Sequence, residues 1–253
     1  MKSNYRGQIG LILLIIMGVV VSLVLSIASR SLSDTVLSRQ EKESSVAFSL
    51  AETGVENALS ALTQDPNVSG ETILSDLKYN IENLSTYEMY VKELESAHLD
   101  MDGAVSLNIM WTKKTDAAEN ITSCNNESGG SPAAIEITDI QNDGTIIRSY
   151  YNAAGCSLNT VNGFLDGTSD GGTDYRSMST YNVTANSDFL RIRPIYTGAT
   201  ISVSGIGLPK QQYVINSQAI GGDAQKEIEV RRGLDAPASV FDFAVFAGGT
   251  IVK

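Results

Sequence analysis

Apolar residues run without a break from Ile9 to Ala28, in the segment IGLILLIIMGVVVSLVLSIA, and then thin to a stripe. The run has no charge and no proline; Ser22 and Ser26 are its only hydroxyl side chains, and a helix can bond them back to its own carbonyls. About 20 apolar residues in a helix match the roughly 30 Å hydrocarbon core of a bilayer. Past Arg30 no glycine or proline interrupts until Gly54 and Pro66. Apolar positions return at Leu32, Val36, Ala47, Leu50, Val55, Ala58, Leu59 and Leu62. Steps of three and four put such residues on one helix face. Arg39, Gln40, Glu43, Ser45, Glu52, Glu56 and Asn57 fill the other face. Gln64-Asp65-Pro66-Asn67 stops the pattern, because proline lacks an amide N–H and clashes with the preceding turn. The pattern predicts one helix from Ile9 to Thr63, about 80 Å long. Its first half faces lipid all round. Its second half carries one apolar stripe that a sheet could cover.

Beyond the helix the periodicity changes. Glu71 to Asn83 is compatible with a short further helix. From there, alternation of apolar and polar residues predicts strands at Tyr87–Lys92 and Val105–Trp111. Ala134–Ile140 and Thr145–Tyr151 flank Gln141-Asn142-Asp143-Gly144, a strong hairpin signal. More strands are predicted at Phe189–Tyr196, Thr200–Ser204, Gln212–Ala219, Lys226–Arg231 and Val240–Phe246. Many short strands imply an antiparallel sheet or sandwich. Asn125–Pro132 and the glycine-rich Gly155–Tyr181 read as loops. The fold class is α+β: a long N-terminal helix packed on a mostly antiparallel β domain.

Charge orients the helix. Lys2 and Arg6 precede the apolar run, and the first acid is Asp34, so the positive-inside rule keeps the N-terminus cytoplasmic. Arg30, followed by Asp34, Glu41 and Glu43, weakens that bias slightly. A secretory signal peptide cut after Ser26-Ile27-Ala28 is the rival reading, although such apolar regions are normally about 7–15 residues long. The 253 residues leave room beyond the anchor for one medium domain or a small pair. A net charge of −11 suits an exposed surface and argues against nucleic acid as a partner. Arg191, Arg193, Arg231 and Arg232 are the only local concentration of cations.

Candidate chemistry is sparse. One histidine, His98, cannot build a zinc site or a histidine-based triad by itself, and it reads as a surface or packing residue. Asp166, Asp170 and Asp174 stand four apart in the glycine-rich stretch and are weak calcium candidates. Their spacing is not that of an EF-hand, and a solvated acidic turn accounts for them as well. Cys124 and Cys156 bracket the hairpin, so a bridge could close its base if the domain is exported; two buried free thiols are the alternative. Gly205-Ile206-Gly207 lacks the rest of a nucleotide loop, and no Gly-x-Ser-x-Gly elbow occurs. No cofactor is expected, and no constellation points to an enzyme, an anchored hydrolase included.

The order Lys2, Arg6, Gly7, Gln8, apolar run, amphipathic extension resembles the type IV pilins. Arg39 to Leu62, RQEKESSVAFSLAETGVENALSAL, is more specifically similar to the PilX-type minor pilins, which carry an AFxxAExGxExAL-like segment. It is met here by Ala47-Phe48, Ala51-Glu52, Gly54, Glu56 and Ala58-Leu59. Trp111, Leu190 to Pro194 and Ser239 to Gly248 extend the likeness more weakly. The resemblance implies a leader cut between Gly7 and Gln8 by a prepilin peptidase, with other pilin subunits and the pilus assembly machinery as partners. It partitions the chain into a leader (1–7), a transmembrane helix (8–28), an amphipathic extension (29–64) and an extracytoplasmic, mostly β domain (65–253). One residue departs from the family. Most pilins carry glutamate at the fifth position after the cut, where this chain has Ile12. A tip or initiating role follows, unless the subfamily dispenses with that pair. The implied function is a minor structural subunit of a type IV pilus or pseudopilus, anchored in the membrane by one span. The alternative is an anchored surface adhesin or DNA-uptake binding module.

Overall fold

The computed structural model describes residues 6–125, 128–168 and 171–234. It opens with a helix of 59 residues, α1 (Arg6–Gln64). Among the described residues the strands that follow are β1 (Gly70–Leu74), β2 (Leu77–Leu84), β3 (Tyr87–Val91), β4 (Ala97–Asp100), β5 (Ser106–Lys113), β6 (Ala134–Gln141) and β7 (Ile146–Asn152). A one-turn helix, α2 (Asn159–Asn162), comes next. Then come β8 (Leu165–Asp166), β9 (Tyr175–Asn182), β10 (Ser187–Ile195), β11 (Ala199–Ile206), β12 (Gln212–Gly221) and β13 (Ala224–Gly233). They form three mostly antiparallel sheets, ordered β1-β2-β12-β13, β4-β10-β6-β7-β8 and β3-β11-β5-β9. The α+β class read from the sequence is the class observed.

The chain divides into two compact units. The first gathers α1 with residues 71–80 and 216–229. From Leu13 to Lys42 every residue of α1 is exposed, and this is the one helix among the described residues long and apolar enough to cross a membrane. Burial begins where the apolar pattern becomes one-sided: Ala47, Ala51, Val55, Ala58 and Leu62 are buried, in steps of four, four, three and four. Small residues on this face let the strands come close. A Cβ on Gly221 would lie 2.6 Å from the Glu43 carbonyl oxygen, and one on Gly54 would lie 2.2 Å from Ser217 Oγ. Ala51, Leu77 and Ala219 form the core of the contact, flanked by Leu50 and Ile228. Ser217 Oγ donates to the Ala51 carbonyl at 2.7 Å, so its burial leaves no unmet donor.

The second unit, residues 67–70, 81–215 and the described residues from 230 on, is built around a sandwich. Leu107, Ile109 and Trp111 of β5 and Ile201 and Val203 of β11 share one core with Leu99, Ile135, Ile137, Leu190 and Ile192 of the five-stranded sheet. The Trp111 indole N–H donates to the Ala133 carbonyl at 2.9 Å. The expected hairpin joins β6 to β7, pairing Ile140 with Ile146. Its turn is held by Asp143 Oδ1, which accepts the Thr145 N–H at 2.8 Å, and by Gly144 at φ 83°. Only glycine takes that conformation without strain.

Two expectations require correction, and one short strand went unpredicted. Residues 71–83 are not helical. They form most of β1 and β2, where Leu77, Tyr79 and Ile81 are buried in alternation. Charged and amide residues between them blur a period of two into something that also fits a helix. Gly155–Tyr181 is not all loop, because β9 begins at Tyr175. Its inward positions include Ser177 and Ser179, buried but not apolar, which hides the alternation. β4 has four residues, too few to show a period. The expected strand Val240–Phe246 and the segment Ser239 to Gly248 lie outside the described residues.

Candidate functional site

Two surfaces combine exposure with unusual chemistry. The first is the bare half of α1. Leu14, Met17, Val20, Leu23, Val24 and Ile27 are all at least half exposed. The Ser22 hydroxyl donates back to the Val19 carbonyl at 2.8 Å, which hides a polar group on an apolar surface. Where packing begins, Arg39 Nε donates to Glu43 Oε1 at 2.6 Å, and the Asp223 N–H donates to the same carboxylate at 3.2 Å. The hydrogen bond from Arg39, and then that from Asp223, hold Glu43 below the ordinary carboxylate range. Gly7 and Gln8 fall in the first turns of α1.

The residues singled out in the sequence fall in separate places. Cys124 and Cys156 are joined in a disulfide, with Cα atoms 5.5 Å apart. Arg176 sits across it: Nε donates to the Ala154 carbonyl at 2.9 Å, Nη1 to the Ile121 carbonyl at 2.6 Å, and Nη2 lies 3.6 Å from Cys156 Sγ. Burial lowers the pKa of this guanidinium. Asp166 Oδ2 accepts from Asn159 at 3.2 Å, and Asp174 Oδ1 accepts from Thr173 at 3.1 Å. Asp170 lies outside the described residues. Among the described residues no group of three His, Cys, Asp or Glu side chains could share a metal ion. The arginine concentration splits: Arg191 and Arg193 lie on β10, Arg231 and Arg232 on β13 in another sheet. Arg231 helps to hold the Glu88 carboxylate below its ordinary range, after the larger effects of hydrogen bonds from Lys113 and Tyr175.

The second surface is the outer face of the five-stranded sheet. In β10 the core takes Leu190 and Ile192, so Phe189, Arg191 and Arg193 face the other way, each half-buried. Register then sets their neighbours. Arg191 lies between His98 of β4 and Thr138 of β6, and Arg193 lies beside Glu136. Across β6, Arg148 pairs with Thr138 and Tyr150 with Glu136. The Glu136 side chain is only 5 % exposed and pairs with Arg193, with Arg148 Nε at 3.6 Å. It also accepts the Tyr150 hydroxyl at 3.2 Å. Tyr150 stacks on Phe164 with ring centroids 4.9 Å apart, and His98 tilts against Phe189 at 4.8 Å. Burial first, and then Arg191, push the His98 imidazolium below its ordinary pKa. Sequence reading found Arg191 and Arg193 but missed Glu136 and Arg148. Their period-two spacing was the available signal, yet nothing local says which strands are neighbours.

No known protein family matches the sequence, and neither a curated protein nor a solved structure matches the chain.

Proposed function

We propose that this chain is a pilin-like structural subunit of the PilX type, held in a membrane by the first half of α1. One observation carries the reading. A single helix is bare and apolar from Leu13, then, without a break, seats a small-residue stripe on strands from Ala47 onward. A core helix of a soluble domain would not leave its most apolar half exposed, and a secretory signal would not continue as a structural element of the mature domain. The role is assembly rather than catalysis. The N-terminus stays on the cytoplasmic side, the β domain lies outside, and the partners are other pilin subunits, the assembly machinery and a prepilin peptidase.

Within a filament, Ile12 sets the position. The usual subunit offers a carboxylate at this point to the N-terminal amine of its neighbour. This chain brings an amine and no carboxylate, so it serves as the upper partner and not the lower. A buried charge without its partner is strongly unfavourable, so the subunit belongs at a tip or in an initiating complex.

Intact-mass measurement of protein from cells with a prepilin peptidase tests the first step. The expected mature chain begins at Gln8, having lost Met1 to Gly7. A terminus at Ser29 means ordinary secretion and ends the pilin reading. Immunogold labelling tests the second: label is expected at filament ends, and the Ile12→Glu variant is expected along the shaft. Native protein spread evenly along filaments at major-subunit abundance overturns the tip assignment.

A further inference from the structure

We propose that the Cys124–Cys156 bridge is a thiol-exchange site, at which an incoming thiolate attacks Cys124 Sγ and Cys156 leaves as a thiolate held by Arg176. This concerns the bridge alone and is independent of the filament role. The attacking sulfur bonds to Cys124 Sγ, the bond between the two cysteines breaks, and its electron pair stays on Cys156 Sγ. The product is a mixed disulfide at Cys124 and one free thiolate. That thiolate reverses the step by attacking Cys124 Sγ and expelling the reagent as its own thiolate, so no further oxidant or reductant enters.

The two sulfurs sit in unlike surroundings. Cys156 is 3 % exposed, whereas Cys124 is only half-buried and stands between exposed Ser123 and Asn125. A thiolate from solvent therefore reaches one sulfur more readily than the other. Charge divides them in the same sense. Arg176 Nη2 lies 3.6 Å from Cys156 Sγ. No lysine, arginine or histidine occurs between Lys114 and Arg148, so the chain leading to Cys124 brings acids, Asp116 and Glu119, and no cation. A guanidinium stays charged where it is partly buried, and a cation within about 4–6 Å favours a thiolate over a thiol. In exchange, the sulfur that forms the more stable thiolate leaves faster. Access and charge thus both make Cys124 the sulfur attacked and Cys156 the sulfur released.

Arg176 also keeps the products within reach of each other. From β9 its Nε donates to the Ala154 carbonyl, and its Nη1 donates to the Ile121 carbonyl and, at 3.4 Å, to Asn120 Oδ1. Ala154 is two residues before Cys156, and Ile121 is three before Cys124. One side chain therefore ties together the same two segments that the bridge joins, and the tie survives when the sulfurs part. The Cys156 thiolate stays near Cys124, which makes the exchange reversible. A bridge acting only as a staple has no need of a cation beside one sulfur, because a neutral amide donor could satisfy the same carbonyls.

The test uses the full oxidised chain in detergent micelles, with glutathione as the thiol. After brief exposure the reaction is quenched with N-ethylmaleimide, and nonreducing peptide mapping locates both labels. Glutathione on Cys124 with maleimide on Cys156 is expected to exceed the reverse arrangement by at least about tenfold. Chain unfolded in urea is expected to divide the labels evenly. Arg176→Gln is expected to reduce the preference by about threefold or more, and Arg176→Lys to retain it. Circular dichroism checks the fold of each variant. A second readout leaves Arg176 in place. By thiolate ultraviolet absorbance at neutral pH, Cys156 in the Cys124→Ser variant is expected to be more ionised than Cys124 in the Cys156→Ser variant. Glutathione on Cys156 or evenly divided in the folded chain, an equal preference in urea, an undiminished preference in folded Arg176→Gln, or a Cys156 no more ionised than Cys124 each overturns the proposal.

Discussion

At the scale of single residues, packing tolerances and buried charge are the sensitive points. Gly221 meets the helix backbone itself: a Cβ there would lie 2.6 Å from the Glu43 oxygen and 2.7 Å from the Ala47 nitrogen. Neither atom can turn away as a side chain would, so Gly221→Ala has to push α1 outward. The expected loss is about 1–3 kcal/mol, the usual range for overpacking, read as a melting temperature lower by several degrees. A methyl group on Gly18 would meet nothing within 4 Å, so Gly18→Ala is expected to leave the melting temperature unchanged. His98 predicts a pH effect of definite sign. Its folded pKa is lowered from 6.5 by burial and by Arg191, against the smaller raising effects of Asp100 and Asp188. Below pH 6.5 the unfolded chain therefore takes up this proton more readily than the folded one. Stability is present above that pH and falls as the pH drops toward the folded value. Denaturant titrations at pH 7 and pH 5 should show the loss, and His98→Gln should reduce the difference. An unchanged difference in that variant assigns the effect to other groups.

Among the elements, α1 does two jobs with one hydrogen-bonded rod, and its sequence separates them. Val20 lies in the bare half, and Glu52 lies on the exposed polar side of the packed half. A lysine at the centre of a membrane span costs about 2.5–3.5 kcal/mol on an insertion scale. Val20→Lys is therefore expected to move protein from the carbonate-resistant membrane fraction to the soluble one, whereas Glu52→Lys should leave the distribution unchanged. Equal membrane retention by Val20→Lys would rule out a span at this position. The strands follow a different logic. β6, β10 and β11 were legible because apolar and polar residues alternate along them, and β7 because the Asn142-Asp143-Gly144 turn predicts a partner strand for β6. β9 was not, since serines occupy inward places, and β4 was not, since four residues carry no period. β1 and β2 were misread as helix because a short, mixed segment satisfies either period until a partner strand selects one.

For the molecule as a whole, the disulfide is the one covalent link between distant segments, across a separation of 32 residues. Closing a loop of that size removes about 3–4 kcal/mol of chain entropy from the unfolded state. Reduction, or Cys156→Ser, is expected to lower the melting temperature while leaving membrane association intact; a melting curve insensitive to reductant contradicts this. Local order along the chain was set by the sequence itself. The continuous helix, its change from all-round to one-sided apolarity, the β6–β7 turn and most strands depend on neighbours within a few residues, and periodicity records such neighbours directly. Strand order was decided only by tertiary structure. Arg193 and Glu136 are 57 residues apart, and they meet because β10 lies between β4 and β6. That pairing is selected by burial of Leu190 and Ile192 in the core on the opposite side, a condition set by the whole sandwich and by no local pattern.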